Sequence, residues 1–452
     1  MLIALGLILL LVTLDYTLMA GVVTFDRTAG IWSPWLYKTG LLTIADIIII
    51  AAAVFTLTSI LLRGSLPWSN YLALCALVLI YLFLGLIYNF VVFTSWKTYL
   101  YDFKVFLCLT IPYLFLCTLP DNKISEWFSI RRLLVYGVIA GLIDTLIAHT
   151  FFEYYLGTSI PYPKYLDLPI IASIFPLQVS AIGILFATKL KYKMLFLTLF
   201  TFELINHINK INIGYMATIV MLIALLCVLY PRVRLATRAG LILTVILAVN
   251  LAFVFLISNP FQFSLLAEKP TGSVTRSIQL ENVLLNFSEN IPGIIGKGWG
   301  STWFEYVRIP EDDIYSVGSS MGVDIEEAMS LPVKFSFNWL PPAVLHKWGL
   351  LGIVLLSFLI AKFYQDLSKK IRKLHNLGLH GDEIRYLYGI LAMACYFILA
   401  DFLWSTSLRG AIFTSLLAFR VEKEIGKTYE ERFEMCAARK CGAIDKGQVS
   451  VS

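Results

Sequence analysis

The stretch YLALCALVLIYLFLGLIYNFVVF (71–93) carries no charged side chain. Coiled as a helix at 1.5 Å per residue, it reaches about 35 Å, enough to cross the ~30 Å hydrocarbon layer of a bilayer. Its apolar residues run on without the alternation of a barrel strand, so the span reads as helical. The rest of the chain has the same character. Of 452 residues, 58% are hydrophobic and 15% charged, and the mean hydropathy is +0.78. Soluble domains sit near 45–50% and 25%, and no soluble core hides such an excess. These observations predict an all-α, polytopic membrane protein.

Outward from 71–93, further apolar runs fall at 1–22, 40–62, 104–119, 133–156, 169–188, 194–206, 213–230, 240–258, 339–361, 386–404 and 409–420. They bring the expected number of spans to about twelve. The first lacks a basic region and a small-residue cleavage site, so it reads as a retained span. Lys and Arg crowd alternate connections: Arg63; Lys123, Arg131 and Arg132; Lys189, Lys191 and Lys193; Arg232, Arg234 and Arg238; the cluster from Lys362 to Arg385; and the end from Arg420 onward. The positive-inside rule then predicts a multi-pass protein of the inner (plasma) membrane with both termini cytoplasmic. The expected organisation is transmembrane helices 1–9 over 1–258, a large extracytoplasmic loop over 259–338, helices 10–12 over 339–420, and a cytoplasmic tail over 421–452. The loop is acidic, and the charged tail reads as a solvated helix fading into disorder.

The net charge of +6 therefore reports orientation and not nucleic-acid binding. Cys75, Cys108, Cys117, Cys227 and Cys395 lie in apolar runs, and Cys436 and Cys441 lie in the tail. That pattern predicts neither a disulfide framework nor a metal site.

Three segments concentrate polar groups that solvent does not excuse. In IPGIIGKGWG (291–300), downstream of Arg276, the residues Gly296, Gly298 and Gly300 alternate. Glycine permits positive φ and close backbone approach, and the N–H groups of such a turn can cradle an anion, although an ordinary turn uses the same residues. In KFSFNWLPPAVLHKWGLLG (334–352), His346 and Lys347 fall inside a span. A charge at depth costs ~2.5–3.5 kcal/mol on insertion scales. Lys347 thus either lines a wet, protein-walled cavity or snorkels to the interface, and His346 either does chemistry or satisfies a neighbouring carbonyl. In HINKIN (207–212), Lys210 sits at a short external turn, as a solvated anchor or a substrate-facing cation. Trp299, Trp303, Phe304 and Tyr306 read as a glycan groove or as an interfacial aromatic belt. Asp312 and Asp313 read as solvated surface. Asp15, Asp46, Asp144, His149, Glu153, Glu203 and Asp401, within other runs, suit a proton or ion path or buried structural pairing.

In order and topology these segments resemble the bacterial O-antigen polymerase and O-antigen ligase family of membrane glycosyltransferases, a GT-C-like fold. The specific likeness covers roughly residues 200–360. That family opens a middle span with a Ser-Arg-like step, for which this chain has Asn209-Lys210. Its periplasmic loop opens with an arginine and runs to a Pro…Gly-x-Gly-x-Gly stretch, matched by Arg276, Pro292, Gly296, Gly298 and Gly300. The loop closes on a span bearing Gly-x-x-Gly, matched by Gly349 and Gly352. Asn338 stands where the family often has histidine, and asparagine is no general base at neutral pH.

The resemblance implies glycosyl transfer from an undecaprenyl-diphosphate-linked glycan. A polymerase joins repeat units and is preferred here; a ligase hands the glycan to a lipid A core. The departing diphosphate gathers negative charge and needs cationic donors. Arg276, Lys210, Gly296, Gly298 and Gly300 are then its expected binding groups. Arg276 and His346 are the expected catalytic residues, with Glu281 or Glu305 as other bases. Trp299, Trp303, Asn338 and Lys347 are the expected glycan contacts. No metal and no cofactor are implied; the partners are the bilayer, the lipid-linked glycan, and a chain-length regulator or flippase. A transporter or flippase for a lipid-linked glycan is the reading from another class, and it calls for charges at the bilayer midplane and paired broken helices.

Overall fold

The computed structural model describes residues 44–64, 69–91, 96–119, 189–208, 234–258, 292–304, 333–335, 343–379, 381–404 and 408–447, with Ile130, Leu133, Ile278, Glu281, Asn282, Leu284, Leu285 and Val307. Its helices are α1 (Ile44–Arg63), α2 (Asn70–Val91), α3 (Trp96–Thr118), α4 (Leu190–Ile208), α5 (Leu235–Ser258), the single turn α6 (Pro292–Ile295), α7 (Ala343–Asn376), α8 (Asp382–Trp404) and α9 (Leu408–Gly447). Two three-residue strands, β1 (Thr302–Phe304) and β2 (Val333–Phe335), pair antiparallel with Trp303 opposite Lys334. Among the described residues, three helices are long and apolar enough to cross a membrane, within α2, α7 and α8.

Local chemistry accounts for the ends of these helices. The Ser69 hydroxyl caps α2 by accepting the Leu72 N–H at 3.2 Å. Asp382 and Glu383 in the first turn of α8 complement the positive end of its dipole. Within α3, Pro112 lacks an N–H and its ring crowds the preceding turn. Neighbouring helices answer that disturbance: the Tyr71 hydroxyl donates to the Leu109 carbonyl at 2.8 Å, and the Tyr113 N–H donates to Ser415 Oγ at 2.9 Å.

Several predicted boundaries move. The span expected at 104–119 starts earlier, at Trp96, so that Asp102, outside the expected bounds, lies inside the helix. The span expected at 339–361 starts at Ala343 and continues to Asn376 over 34 residues, with the helical backbone broken at Gly349. The span expected at 409–420 runs unbroken to Gly447 through 40 residues, about 60 Å, so the helical part of the tail is its continuation. Val421 and Ile425 in that continuation are still buried. The runs at 1–22, 133–156 (Leu133 apart), 169–188 and 213–230 lie outside the described residues.

Helix α7 occupies the middle, packed against α2, α5, α6, α8 and α9, while α3 packs against α9 and α1. The outer faces are apolar: Val54, Phe55, Leu61 and Leu62 on α1, Ile80, Phe83, Ile87 and Phe90 on α2, and Leu350, Leu351, Val354, Leu355 and Phe358 on α7 all stand exposed. An apolar surface of that extent marks contact with lipid or protein, not water.

Candidate functional site

Residues 296–301 leave α6 and pass between α2, α3 and α7 as irregular backbone. Such backbone persists deep in an apolar bundle only when protein satisfies its polar groups, and here each successive donor has an acceptor. The Lys297 N–H donates to the His346 carbonyl at 2.7 Å, and the Gly298 N–H to the Lys347 carbonyl at 3.0 Å. Those carbonyls are open to outside donors because Gly349, at φ 59° and ψ −178°, breaks the helical ladder of α7. The Trp299 N–H donates to the Tyr81 carbonyl at 2.9 Å, halfway along α2. The Gly300 N–H donates to Asp102 Oδ2 of α3 at 2.7 Å.

Close approach requires bare backbone on both sides. Gly296, Gly298 and Gly300 all have positive φ. A Cβ on Gly296 would lie 2.5 Å from the Gly349 nitrogen, and one on Gly85 would lie 1.9 Å from the Trp299 carbonyl oxygen. The two glycine motifs, far apart in sequence, therefore interlock.

The side chains follow from this threading. Lys347, 2% exposed, forms an ion pair with Asp102, 0% exposed, with Nζ 2.7 Å from Oδ2. The Ser301 hydroxyl donates to the Gly298 carbonyl at 2.6 Å, and its oxygen lies 3.3 Å from His346 Nε2. With its proton committed to Gly298, Ser301 Oγ can accept from His346 Nε2 in the tautomer that carries the proton there. Trp299 meets Trp348 edge-on at 5.5 Å, Tyr81 lies 4.7 Å from Trp348, and the Lys347 ammonium sits 5.4 Å above the Trp299 ring. Trp348 Nε1 donates to the Phe402 carbonyl at 3.1 Å, which ties the wall of the site to α8. The Lys297 ammonium lies 5.0 Å over the Tyr88 ring.

No protein-family model, curated protein or solved structure matches this chain. Of the residues singled out in the sequence, Gly296, Gly298, Gly300, Trp299, His346 and Lys347 come together. Three expectations change. The amides of Gly298 and Gly300 are spent on Lys347 and Asp102, so they do not form an anion cradle. Trp299, 0% exposed, packs in the core and forms neither a belt nor a glycan groove. Lys347 neither snorkels nor lines a wet cavity, because Asp102 neutralises it. His346, 3% exposed, lies against the Ser301 hydroxyl. Trp303 lies on β1, and Glu281 is exposed beside Asn282, whose side-chain amide brackets the Val307 backbone at 2.7 and 2.9 Å. Arg276, Lys210, Asn338 and Glu305 lie outside the described residues.

Asp102, Tyr81, Gly85 and Ser301 were not singled out. Two signals for them exist: a lone glycine within the apolar run 71–93, and an aspartate two positions ahead of the run at 104–119.

Proposed function

We propose that the chain is a membrane glycosyltransferase that joins undecaprenyl-diphosphate-linked oligosaccharide units into a surface polysaccharide, spanning the inner membrane about twelve times with 259–338 outside and both termini inside. The observation that carries the reading is the interlock of Gly296 with Gly349. Two of the three segments on which the family resemblance rests meet at Gly296 and Gly349, with His346 and a buried ion pair at their junction. A transferase for lipid-linked sugars needs such a site beside apolar helices, since its donor is a long-chain amphiphile.

In this reading Arg276 and Lys210 grip the departing diphosphate, whose growing charge they stabilise. His346, held against the Ser301 hydroxyl, is the candidate base that takes the proton of the acceptor hydroxyl. Attack of that hydroxyl on the anomeric carbon breaks the bond to the diphosphate.

The test is extension of a purified lipid-linked repeat unit by the protein in nanodiscs. A ladder of longer lipid-linked glycans is expected. Arg276→Ala should cut the rate by about 10²–10³, the usual effect of losing one transition-state donor, and His346→Ala by about 10²–10⁴. A wild-type protein that extends no lipid-linked donor would overturn the reading, and transfer only to a lipid A core would make it a ligase.

A further inference from the structure

We propose that Asp102 is the positioning residue of this site: one of its carboxylate oxygens ties the inserted segment to the helix that carries His346, and thereby holds Ser301 against the imidazole. Asp102 Oδ2 accepts from the Gly300 N–H at 2.7 Å and from Lys347 Nζ at 2.7 Å. Gly300 immediately precedes Ser301, and Lys347 immediately follows His346. A single oxygen on a third helix, α3, thus clamps both partners of the 3.3 Å Ser301–His346 contact through their chain neighbours.

The choice of a carboxylate follows from the two donors. A neutral acceptor would satisfy Gly300 but leave the Lys347 ammonium buried without compensation, and each bond here is strengthened by charge. Fold stability does not by itself require the pair. A buried ion pair repays little more than its desolvation, and apolar residues of similar volume often replace it at no loss. What such a replacement removes is directionality, because methyl groups do not aim an amide or an ammonium. The pair therefore acts on geometry, and a reacting group displaced by about 1 Å loses about 10²-fold in rate.

The test compares the full chain in nanodiscs with Asp102→Leu/Lys347→Met, which removes both charges together, and with Asp102→Asn, which strands the lysine. Asp102→Asn is expected to reduce folded yield. The double variant is expected to keep its thermal midpoint and the slow hydrogen exchange of α2, α7 and α8, while amides 297–301 exchange at least tenfold faster. Its turnover should fall at least tenfold in kcat with KM changed less than about twofold. That turnover arm rests on the glycosyl-transfer reading, and the exchange arm does not. Faster local exchange in a chain whose wild type transfers no glycan would sink the proposed function and leave the clamp standing. Unchanged exchange at 297–301, or protection lost equally throughout, would overturn the positioning role.

Discussion

At the scale of single residues, the site depends on atoms that are missing. Gly85 has no Cβ, and the Trp299 carbonyl oxygen fills the place where one would stand, 1.9 Å away, with the carbonyl carbon at 2.9 Å. Backbone cannot rotate aside as a flexible side chain does, so Gly85→Ala forces α2 and the inserted segment apart. The cost expected is that of overpacking, about 1–3 kcal/mol, with loss of transfer activity. Gly240 is the control: exposed on α5, with nothing within 4 Å of an added Cβ. Gly240→Ala should be neutral or stabilising by about 0.5–1 kcal/mol, since alanine has less backbone freedom to lose. Thermal unfolding of both variants in detergent checks the contrast, and equal midpoints would contradict the close approach.

At the scale of elements, the bend-forming residues are answered by partners on other helices. Pro112 disturbs α3, and Tyr71 and Ser415 supply the hydrogen bonds at that point. Ser415→Ala should cost about 1–3 kcal/mol, the usual effect of leaving a buried donor unsatisfied. The same substitution in a Pro112→Ala background should cost clearly less, because the restored helical ladder competes for the Tyr113 amide. A coupling of about 1 kcal/mol in this double-mutant cycle is expected, and strict additivity would refute the repair. Gly349 plays the corresponding part in α7, where the broken ladder opens two carbonyls to the inserted segment. Pro112 is readable in the sequence as a disturbance, but the residues that answer it are not, since Ser415 lies 302 positions from Tyr113, whose amide it accepts.

At the scale of the whole molecule, the apolar stretches of the described helices present large apolar residues outward and enclose Asp102, Lys347 and Asp401. Leu355 is exposed on α7, whereas Asp102, Lys347 and Asp401 are buried. An apolar surrounding makes both arrangements favourable. Leu355→Lys should therefore impair membrane insertion, costing about 2.5–3.5 kcal/mol if the residue lies near the bilayer centre. Phe433→Lys, on the charged extension of α9 where Phe433 is 56% exposed, should insert as well as wild type. Quantitative membrane fractionation separates these outcomes, and equal yields would argue against a lipid-facing α7.

Composition and uninterrupted apolar runs were enough to read the helical character of the described residues and the three helices among them able to cross a membrane, because hydropathy and the 1.5 Å rise act locally along the chain. The glycines, His346 and Lys347 were also legible, since each is an anomaly against an apolar background. Their partners were not. That Asp102 neutralises Lys347, that Gly85 admits the Trp299 carbonyl, and that the glycine amides bond to protein were decided only by packing, which joins residues 198 and 245 positions apart. A sequence shows which groups are costly to bury, but only the tertiary arrangement shows what offsets that cost.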